Sequence, residues 1–600
     1  MSEHPLESLT DAQLQELGIR DLQRARTIFE ILRGWGPHAE AFDRMLPHLL
    51  QAMKLSPDPD MALNNFERWQ ANLANRLPYY RFLAENPTVL EIFFTVCATS
   101  QFFSEILIQN PEYFEFFSDP SLRRRPKTAA QHYRDLQNLM RTCASYGMKI
   151  DALRRYKQRE VLRIGVMDIL GVLDLPEVAQ AFSDFADACV QVAYEMAHEE
   201  LSVRYGMTGT PALAAIGMGK LGGRELNYSS DIDLIFVHHD EVGVTGKLTG
   251  TQYAERLAQE IVNVLARNTE RGFVFRVDLR LRPEGRYGPP SRSLSSYRNY
   301  YESWAETWER QALIKARFVA GDPRVGEAFV RMAEEYTYQS YVPAEWVEDI
   351  RHNKRRLEQK AALADETHTN VKIGEGGIRD IEFAVQLLQL LVGGQHPSVR
   401  TGNTLEALQR LRREGFLTPE EAIILRESYC FLRTVEHRLQ ILYEQQTQRL
   451  PADPRQLELL ARRMGFENAE YFRETYDRVR AQVRDIFLRV FYGEAGDRVM
   501  QQQESILRDL LSAIDDPRAQ EKVRQHLEQN GFRDPQAALR LMQIPLMGTD
   551  AGIEEASGIE SIARGAASPA MRQSFLRIAP ALMTYASRSP SPEPARASYS

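Results

Sequence analysis

The run Gly217-Met-Gly-Lys-Leu-Gly-Gly-Arg-Glu-Leu-Asn-Tyr-Ser-Ser-Asp-Ile-Asp-Leu-Ile-Phe236 constrains this chain more than any other segment. A short apolar stretch, residues 212–216, leads into a glycine-rich turn. An Asp-x-Asp then opens a second apolar stretch, residues 232–237. Short apolar runs bounded by glycine read as strands. Side chains alternate faces along a strand, so Asp231 and Asp233 point the same way, while Ile232, Leu234 and Phe236 point into a core. Two neighbouring carboxylates on one face repel each other. A divalent cation relieves that repulsion, and oxygen-only ligands suit Mg2+.

A third strand is expected over residues 273–282. Phe273, Phe275, Val277, Leu279 and Leu281 would share one face, and Arg276, Asp278, Arg280 and Arg282 the other. Asp278 is thus a candidate third carboxylate, and Arg280 and Arg282 are candidates for phosphate or nucleotide contacts. Three carboxylates with magnesium are an apparatus for in-line displacement at phosphorus. Gly217, Gly219, Gly222 and Gly223 would let backbone N–H groups approach phosphates, with Lys220 as a nearby charge.

The rest of the chain reads mainly as helix. Phe182, Phe185, Ala186, Cys189, Val190, Ala193 and Met196 recur at helical spacing, as do stripes over residues 93–108 and 133–139. A further helix is expected over residues 251–267, between the last two strands. Helices return from Ser295 to about Tyr492, interrupted by a glycine-rich loop at Gly374-Glu-Gly-Gly377, with a new helix beginning near Ile378. The run Arg123-Arg-Arg-Pro-Lys127 reads as a solvated loop.

Composition narrows the function classes. The chain has 600 residues, a formal net charge of −8, 43% hydrophobic and 26% charged residues. This excludes a collagen-like, wholly disordered or disulfide-stapled chain. A net acidic chain does not coat nucleic acid nonspecifically. The start carries no secretory pattern, and no apolar run reaches the length of about eighteen residues that a membrane span needs. Cys97, Cys143, Cys189 and Cys430 stand far apart without a Cys-x-x-Cys pair. A cytoplasmic protein is expected, with no membrane and no nucleic-acid partner.

An internal repeat bears on organisation. Phe42-x-Arg44-x-x-Pro47-x-Leu49 recurs as Phe575-x-Arg577-x-x-Pro580-x-Leu582, and Ser56-Pro57-x-Pro59 as Ser589-Pro590-x-Pro592. The expectation is a second copy of the whole unit that begins near residue 515 and stops before its sheet domain. Composition alone would read the Ser- and Pro-rich end as a disordered tail.

The motif Gly-x-Gly-Lys-Leu-Gly-Gly-x-Glu-Leu-x-x-x-Ser-Asp-x-Asp-Leu-x-Phe resembles the signature of the glutamine synthetase adenylyltransferase/adenylyl-removing enzymes. The resemblance continues through Phe275-Arg-Val-Asp-Leu-Arg-Leu-Arg-Pro283 and Trp308-Glu-Arg-Gln-Ala-Leu-Ile-Lys-Ala-Arg317. It extends through Lys372-Ile-Gly-Glu-Gly-Gly-Ile-Arg-Asp-Ile-Glu-Phe383 and Glu444-Gln-Gln-Thr-Gln448. It implies a mainly α fold with an embedded α+β nucleotidyltransferase (polymerase-beta-like) domain and helical bundles on both sides. The implied division is a helical region over 1–200, the catalytic domain over 201–325 and a helical bundle over 326–495. A linker and the truncated start of a second unit follow over 496–600. Family members are tandem, and this chain resembles the N-terminal, adenylyl-removing half.

The implied reaction is phosphorolysis of the AMP ester on a glutamine synthetase tyrosine, giving ADP and the unmodified enzyme. Implied participants are Mg2+ on Asp231, Asp233 and Asp278, ATP/ADP and phosphate, and the nitrogen-regulatory PII protein. Ser230 of Ser-Asp-x-Asp joins the nucleotide or phosphate contacts, and Glu375, Arg379 and Glu382 are candidate neighbours of the site. Alternatives are adenylylation with ATP, or a non-catalytic fragment that binds glutamine synthetase or PII. Transfer to RNA is disfavoured by the acidic balance. Trp308, Leu313 and Ile314 are expected to pack a helix, while Lys315 and Arg317 divide evenly between site and surface. His238 and His239 point to opposite strand faces and do not form a metal pair.

Overall fold

The computed structural model describes residues 6, 9–118, 125–339, 342–493 and 521. The expected second unit beyond residue 515 therefore lies outside the described residues, apart from the isolated Glu521. The chain is mostly helical with one small mixed sheet. Helices from Asp11–Glu16 to Leu175–Tyr205 precede the first strand. Their starts are written in the sequence: Thr10, Thr128 and Asp174 each close a reciprocal capping box with a Gln or Glu three residues on.

The apolar stripe over residues 93–108 is broken where periodicity gave no warning. Ser100 ends the Pro87–Thr99 helix and caps Gln101–Gln109, its Oγ accepting from the Phe103 N–H at 3.0 Å. The chain bends there by 119°. The same hydroxyl donates to the Ile441 carbonyl at 2.5 Å, tying the break to a distant segment. No single helix among the described residues is long and apolar enough to cross a membrane.

The sheet contains β1 (Leu213–Met218), β2 (Ile232–His238), β3 (Val277–Asp278), β4 (Ser291–Ser293) and β5 (Arg317–Gly321). The order is β3-β2-β1-β5, with β4 also pairing with β2. β1 runs antiparallel to β2 and β5, while β3 and β4 run parallel to β2. Leu234 and Phe236 of β2 join the core shared with the N-terminal helices and the Gly250–Ala266 helix. Ile235 and Val237 pack on the other face, against Tyr297, Tyr301 and Phe329. Both faces of β2 are thus covered, and its open end is where Asp231 and Asp233 stand.

The ten-residue third strand is not formed. Only Val277–Asp278 pairs with β2, and Leu279 to Arg282 enter a turn. The physical reason is competition for the edge: Ser291, Arg292 and Ser293 occupy the register beside Phe236, Val237 and His238. Alternation also fails upstream. Val274 and Phe275 are both buried, with their N–H groups sharing the Leu265 carbonyl.

A separate apolar core gathers the helices between Ala344–Leu363 and Ala469–Tyr492. The Pro419–Gln440 helix joins this unit to the sheet through buried charges. Arg433 donates to the Glu225 carbonyl at 2.7 Å and the Tyr429 hydroxyl at 2.6 Å, and also bonds Asn227 Oδ1. Arg438 grips Asp168 through both guanidinium ends, at 2.8 and 2.9 Å.

Removing one member of such a buried set strands the others. Arg433→Met is expected to lower stability by about 3–5 kcal/mol in denaturant unfolding. Acid acts on the same fold. Burial holds His437 down to about 3 and His132 to about 4 from an ordinary 6.5. Burial raises Glu160, but Arg163 and Lys127 outweigh it and hold the carboxyl at about 2 from an ordinary 4.5. All three bind protons more readily unfolded. Their contribution is complete above 6.5 and is lost as pH falls, first through the histidines and then through Glu160. The denaturation midpoint should fall steadily from pH 7 to pH 3; a flat profile would contradict the buried neutral histidines.

Candidate active site

A cavity of about 830 Å³ opens at the head of β2. Asp231, Asp233 and Asp278 all line it, together with Gly219, Lys220 and Ser230. The sheet explains the convergence. Asp233 and Asp278 are register partners on adjacent parallel strands, and Asp231 lies two residues before Asp233. Burial raises the Asp233 carboxyl to about 6, with Asp278 and Asp231 adding to the rise.

The other two carboxylates are turned onto arginines. Asp231 accepts from Arg276 Nε at 2.6 Å and from Gln446 Nε2 at 2.9 Å. Asp278 accepts from Arg280 Nε at 2.7 Å and from the Arg280 backbone N–H at 2.8 Å. Burial raises the Asp278 carboxyl, but these bonds outweigh it and leave it below its ordinary range. Among the described residues no three carboxylate, His or Cys side chains stand close enough together to ligate one ion. The donor chemistry still fits a hard cation. Three carboxylates share one cavity, and the like charge of Asp278 and Asp231, which adds to the rise that burial gives Asp233, is what a divalent ion offsets. Ligation by all three requires Asp231 and Asp278 to leave their arginines.

The glycines divide by role. Gly219 has φ +51°, and a Cβ there would stand 2.3 Å from Asp233 Oδ2, so only glycine lets the turn lie against this carboxylate. The other three do not line the cavity. Gly217 fits under Val319 and Leu221, Gly222 packs against the Lys315 backbone carbonyl, and Gly223 lies near the Gly402 carbonyl. They let the Gly219–Gly222 turn be packed from behind. The turn's lysine does reach the cavity: Lys220 Nζ lies 3.3 Å from both oxygens of the fully buried Glu436. Burial draws the ammonium down to about 7 although Glu436 opposes this.

Arg280 lines the cavity while Arg282 does not. The Arg282 guanidinium is used on the Leu279 and Gly288 carbonyls at 2.9 Å, closing the turn after β3. Arg379 and Glu382 reach the cavity from the Ile378–Val392 helix. Glu375 does not: its carbonyl accepts from Arg480 at 2.9 Å, and its carboxylate lies 3.7 Å from Arg484. Lys315 is buried, bonds Glu225 and lines the cavity; Arg317 instead holds Asp187 at 2.7 and 2.8 Å. Leu313 and Ile314 are buried as expected, but Trp308 is partly exposed on the cavity wall. His238 is buried on the His239 carbonyl and His239 is exposed, with no metal geometry between them. Of the basic run, Arg123 and Arg124 lie outside the described residues, Arg125 is exposed, and Lys127 is half-buried and paired with Glu160 at 2.7 Å and Asp135 at 2.8 Å.

Sequence reasoning missed Glu436, Gln440, Arg356 and Lys360, which also line the cavity. They sit on ordinary helices with no local signal. Gln446 and Gln448 lie within a quoted family motif but carried no assigned role. Gly219→Ala should cut any metal-dependent turnover at least about tenfold while lowering stability by only about 1 kcal/mol. Paired activity and unfolding measurements would separate these effects, and unchanged turnover would remove Gly219 from the site.

Comparison with known proteins places the chain among relatives. Residues 90–332 match the family model described as glutamate-ammonia ligase adenylyltransferase. Residues 345–491 match the model described as GlnD PII-uridylyltransferase. The chain is 37% identical over 408 residues to the bifunctional glutamine synthetase adenylyltransferase/adenylyl-removing enzyme of Methylococcus capsulatus, covering 66% of this chain and 42% of that protein. It is 33% identical over 539 residues to the enzyme of the same name from Streptomyces avermitilis, covering 87% of this chain and 52% of that protein. The corresponding figures for Aromatoleum aromaticum are 39% over 347 residues, 57% and 37%. The chain spans about half or less of the length of these curated relatives. On these matches and on the motifs that line its cavity, the chain belongs to the glutamine synthetase adenylyltransferase/adenylyl-removing enzyme family.

Proposed function

We propose that this chain is a nucleotidyltransferase-fold enzyme that removes AMP from adenylylated glutamine synthetase by phosphorolysis. The observation that carries the reading is the in-register pair Asp233 and Asp278, with Asp231, in one cavity beside Gly219 and Lys220. The three carboxylates would hold Mg2+, which when bound supplies charge neutralisation at the transferring phosphoryl group. An oxygen of inorganic phosphate forms the new bond to the adenylyl phosphorus. The bond from that phosphorus to the tyrosine oxygen breaks, and the departing phenolate takes a proton. The products are ADP and unmodified glutamine synthetase.

The chain's own residues have separable tasks. Gly219 lets the turn sit against Asp233. Lys220, held on Glu436 and drawn down to about 7, is our candidate for returning the proton to the tyrosine oxygen. Arg276 and Arg280 hold Asp231 and Asp278 until the carboxylates are needed as ligands. The match of residues 345–491 to a PII-uridylyltransferase model supports the PII protein as a regulator.

Asp231→Asn and Asp233→Asn should each lower ADP formation from adenylylated glutamine synthetase and phosphate by at least about a hundredfold. Wild-type rates in both would sink the mechanism. AMP incorporation from ATP into unmodified glutamine synthetase, with no ADP formed from the modified enzyme, would instead assign the adenylylating direction. The pH profile should have two limbs. Turnover falls as pH drops below about 6, where Asp233 takes up a proton, and as it rises above about 7, where Lys220 loses one. Raising the Mg2+ concentration should move the acid limb to lower pH, because the ion competes with that proton.

A further inference from the structure

Seven cations line the cavity, and they fall into two sets. Lys220, Arg280 and Lys315 are each paired with a carboxylate: Glu436, Asp278 and Glu225. Arg356, Lys360, Lys372 and Arg379 are not. Among the described residues, none of these four side chains donates a hydrogen bond or joins a close ion pair. All four come from the helical unit: two from the Ala344–Leu363 helix, one from the glycine-rich loop, and one from the first turn of Ile378–Val392. Lys372 and Arg379 are half-buried, whereas Arg356 and Lys360 are exposed.

Lys372 acts on Asp233, Glu382 and Glu436 through space, without a hydrogen bond or close ion pair to any of them. Asp231 and Asp278 are engaged by Arg276 and Arg280. Burial raises the Glu382 carboxyl, but Lys315, Lys220, Lys372 and Arg433 outweigh it and hold it below its ordinary range, and Lys220 and Arg433 also pair with Glu436. With Glu225, Glu382 and Glu436 make three carboxylates against Lys220, Lys315 and Arg433, a set that is close to neutral by itself. Unpaired, partly desolvated cations in a cavity draw anions, and a guanidinium fork matches a tetrahedral oxyanion. A phosphoryl group held by the carboxylates through a metal would leave this wall unused.

We propose that Lys372 and Arg379, with Arg356 and Lys360 at the rim, form a site for free inorganic phosphate, separate from the transferring phosphoryl group. The assignment deepens the phosphorolysis reading, since it places the nucleophile of that reaction. It also divides the work between segments: the sheet unit holds the group to be moved, and the helical unit brings the oxyanion that accepts it.

The test is direct binding to the full chain by isothermal titration calorimetry, with inorganic phosphate, AMP and ATP as separate titrants. Lys372→Gln/Arg379→Gln is expected to bind phosphate at least about tenfold more weakly, with AMP affinity changed less than about threefold. The charge-conserving Lys372→Arg/Arg379→Lys variant should recover to within about threefold, with circular dichroism confirming that both variants fold. Equal phosphate affinity in wild type and the Gln variant, or no phosphate binding by wild type, overturns the proposal. So does a parallel loss of AMP, which would put the transferring nucleotide on these cations. A loss confined to ATP assigns the wall to a nucleotide's phosphate tail, and also overturns it. Asp233→Asn should retain phosphate binding while losing turnover, so a failure of the phosphorolysis reading and a failure of this site give different results.

Discussion

The buried charges of the Pro419–Gln440 helix are the interaction on which the rest depends. Arg433 and Glu436 are both essentially inaccessible to water. Neither ion is tolerable there alone. Arg433 meets the backbone and side chains of the Glu225-Leu-Asn227 segment, and Glu436 meets Lys220. Lys315 closes the set by bonding Glu225 from the segment just before β5. The glycine-rich turn, the sheet and the helical unit therefore have one arrangement in which these charges are all matched. An apolar contact between the two units would have tolerated sliding; a set of fixed donors and acceptors does not.

That arrangement creates the electrostatic character of the cavity. Once the buried set is satisfied internally, the carboxylates at the head of β2 share a cavity with Arg356, Lys360, Lys372 and Arg379, whose side chains make no hydrogen bond or close ion pair among the described residues. Asp233 carries the strain of this design. It is buried, beside two other carboxylates, and backed by a turn that only glycine can form. Perturbed acid groups of this kind mark places where a bound cation or a reacting charge is to be stabilised. Arg276 and Arg280 offset the charge of the other two members of the trio, Asp231 and Asp278.

Much of this was legible in the sequence because it rests on local rules. The helix expected near Ile378 begins at that residue, and the stripe from Phe182 to Met196 lies on one helix, Leu175–Tyr205. The Asp-x-Asp placed two carboxylates on one strand face, and β3 did bring Asp278 beside them. The long third strand was misread because alternation is a property of one segment, whereas strand length depends on who else claims the edge. Here β4 claimed it. Arg282 was misassigned for the same reason: once the strand ends, its side chain closes a turn. The break at Ser100 was missed because its partner, Ile441, is remote in sequence.

By itself, the sequence determined the grouped carboxylates of the cavity, the glycine-rich turn and the helical character of the flanks, because strand alternation and helix periodicity act over a few residues. Only the tertiary structure decided which glycines touch the site and which merely pack. It alone decided that Lys220 is held by Glu436, and that Lys372 and Arg379 share a cavity with Asp233. Those relations span more than a hundred residues. They are set by burial and by the matching of charges across the fold, quantities that no short stretch of sequence contains.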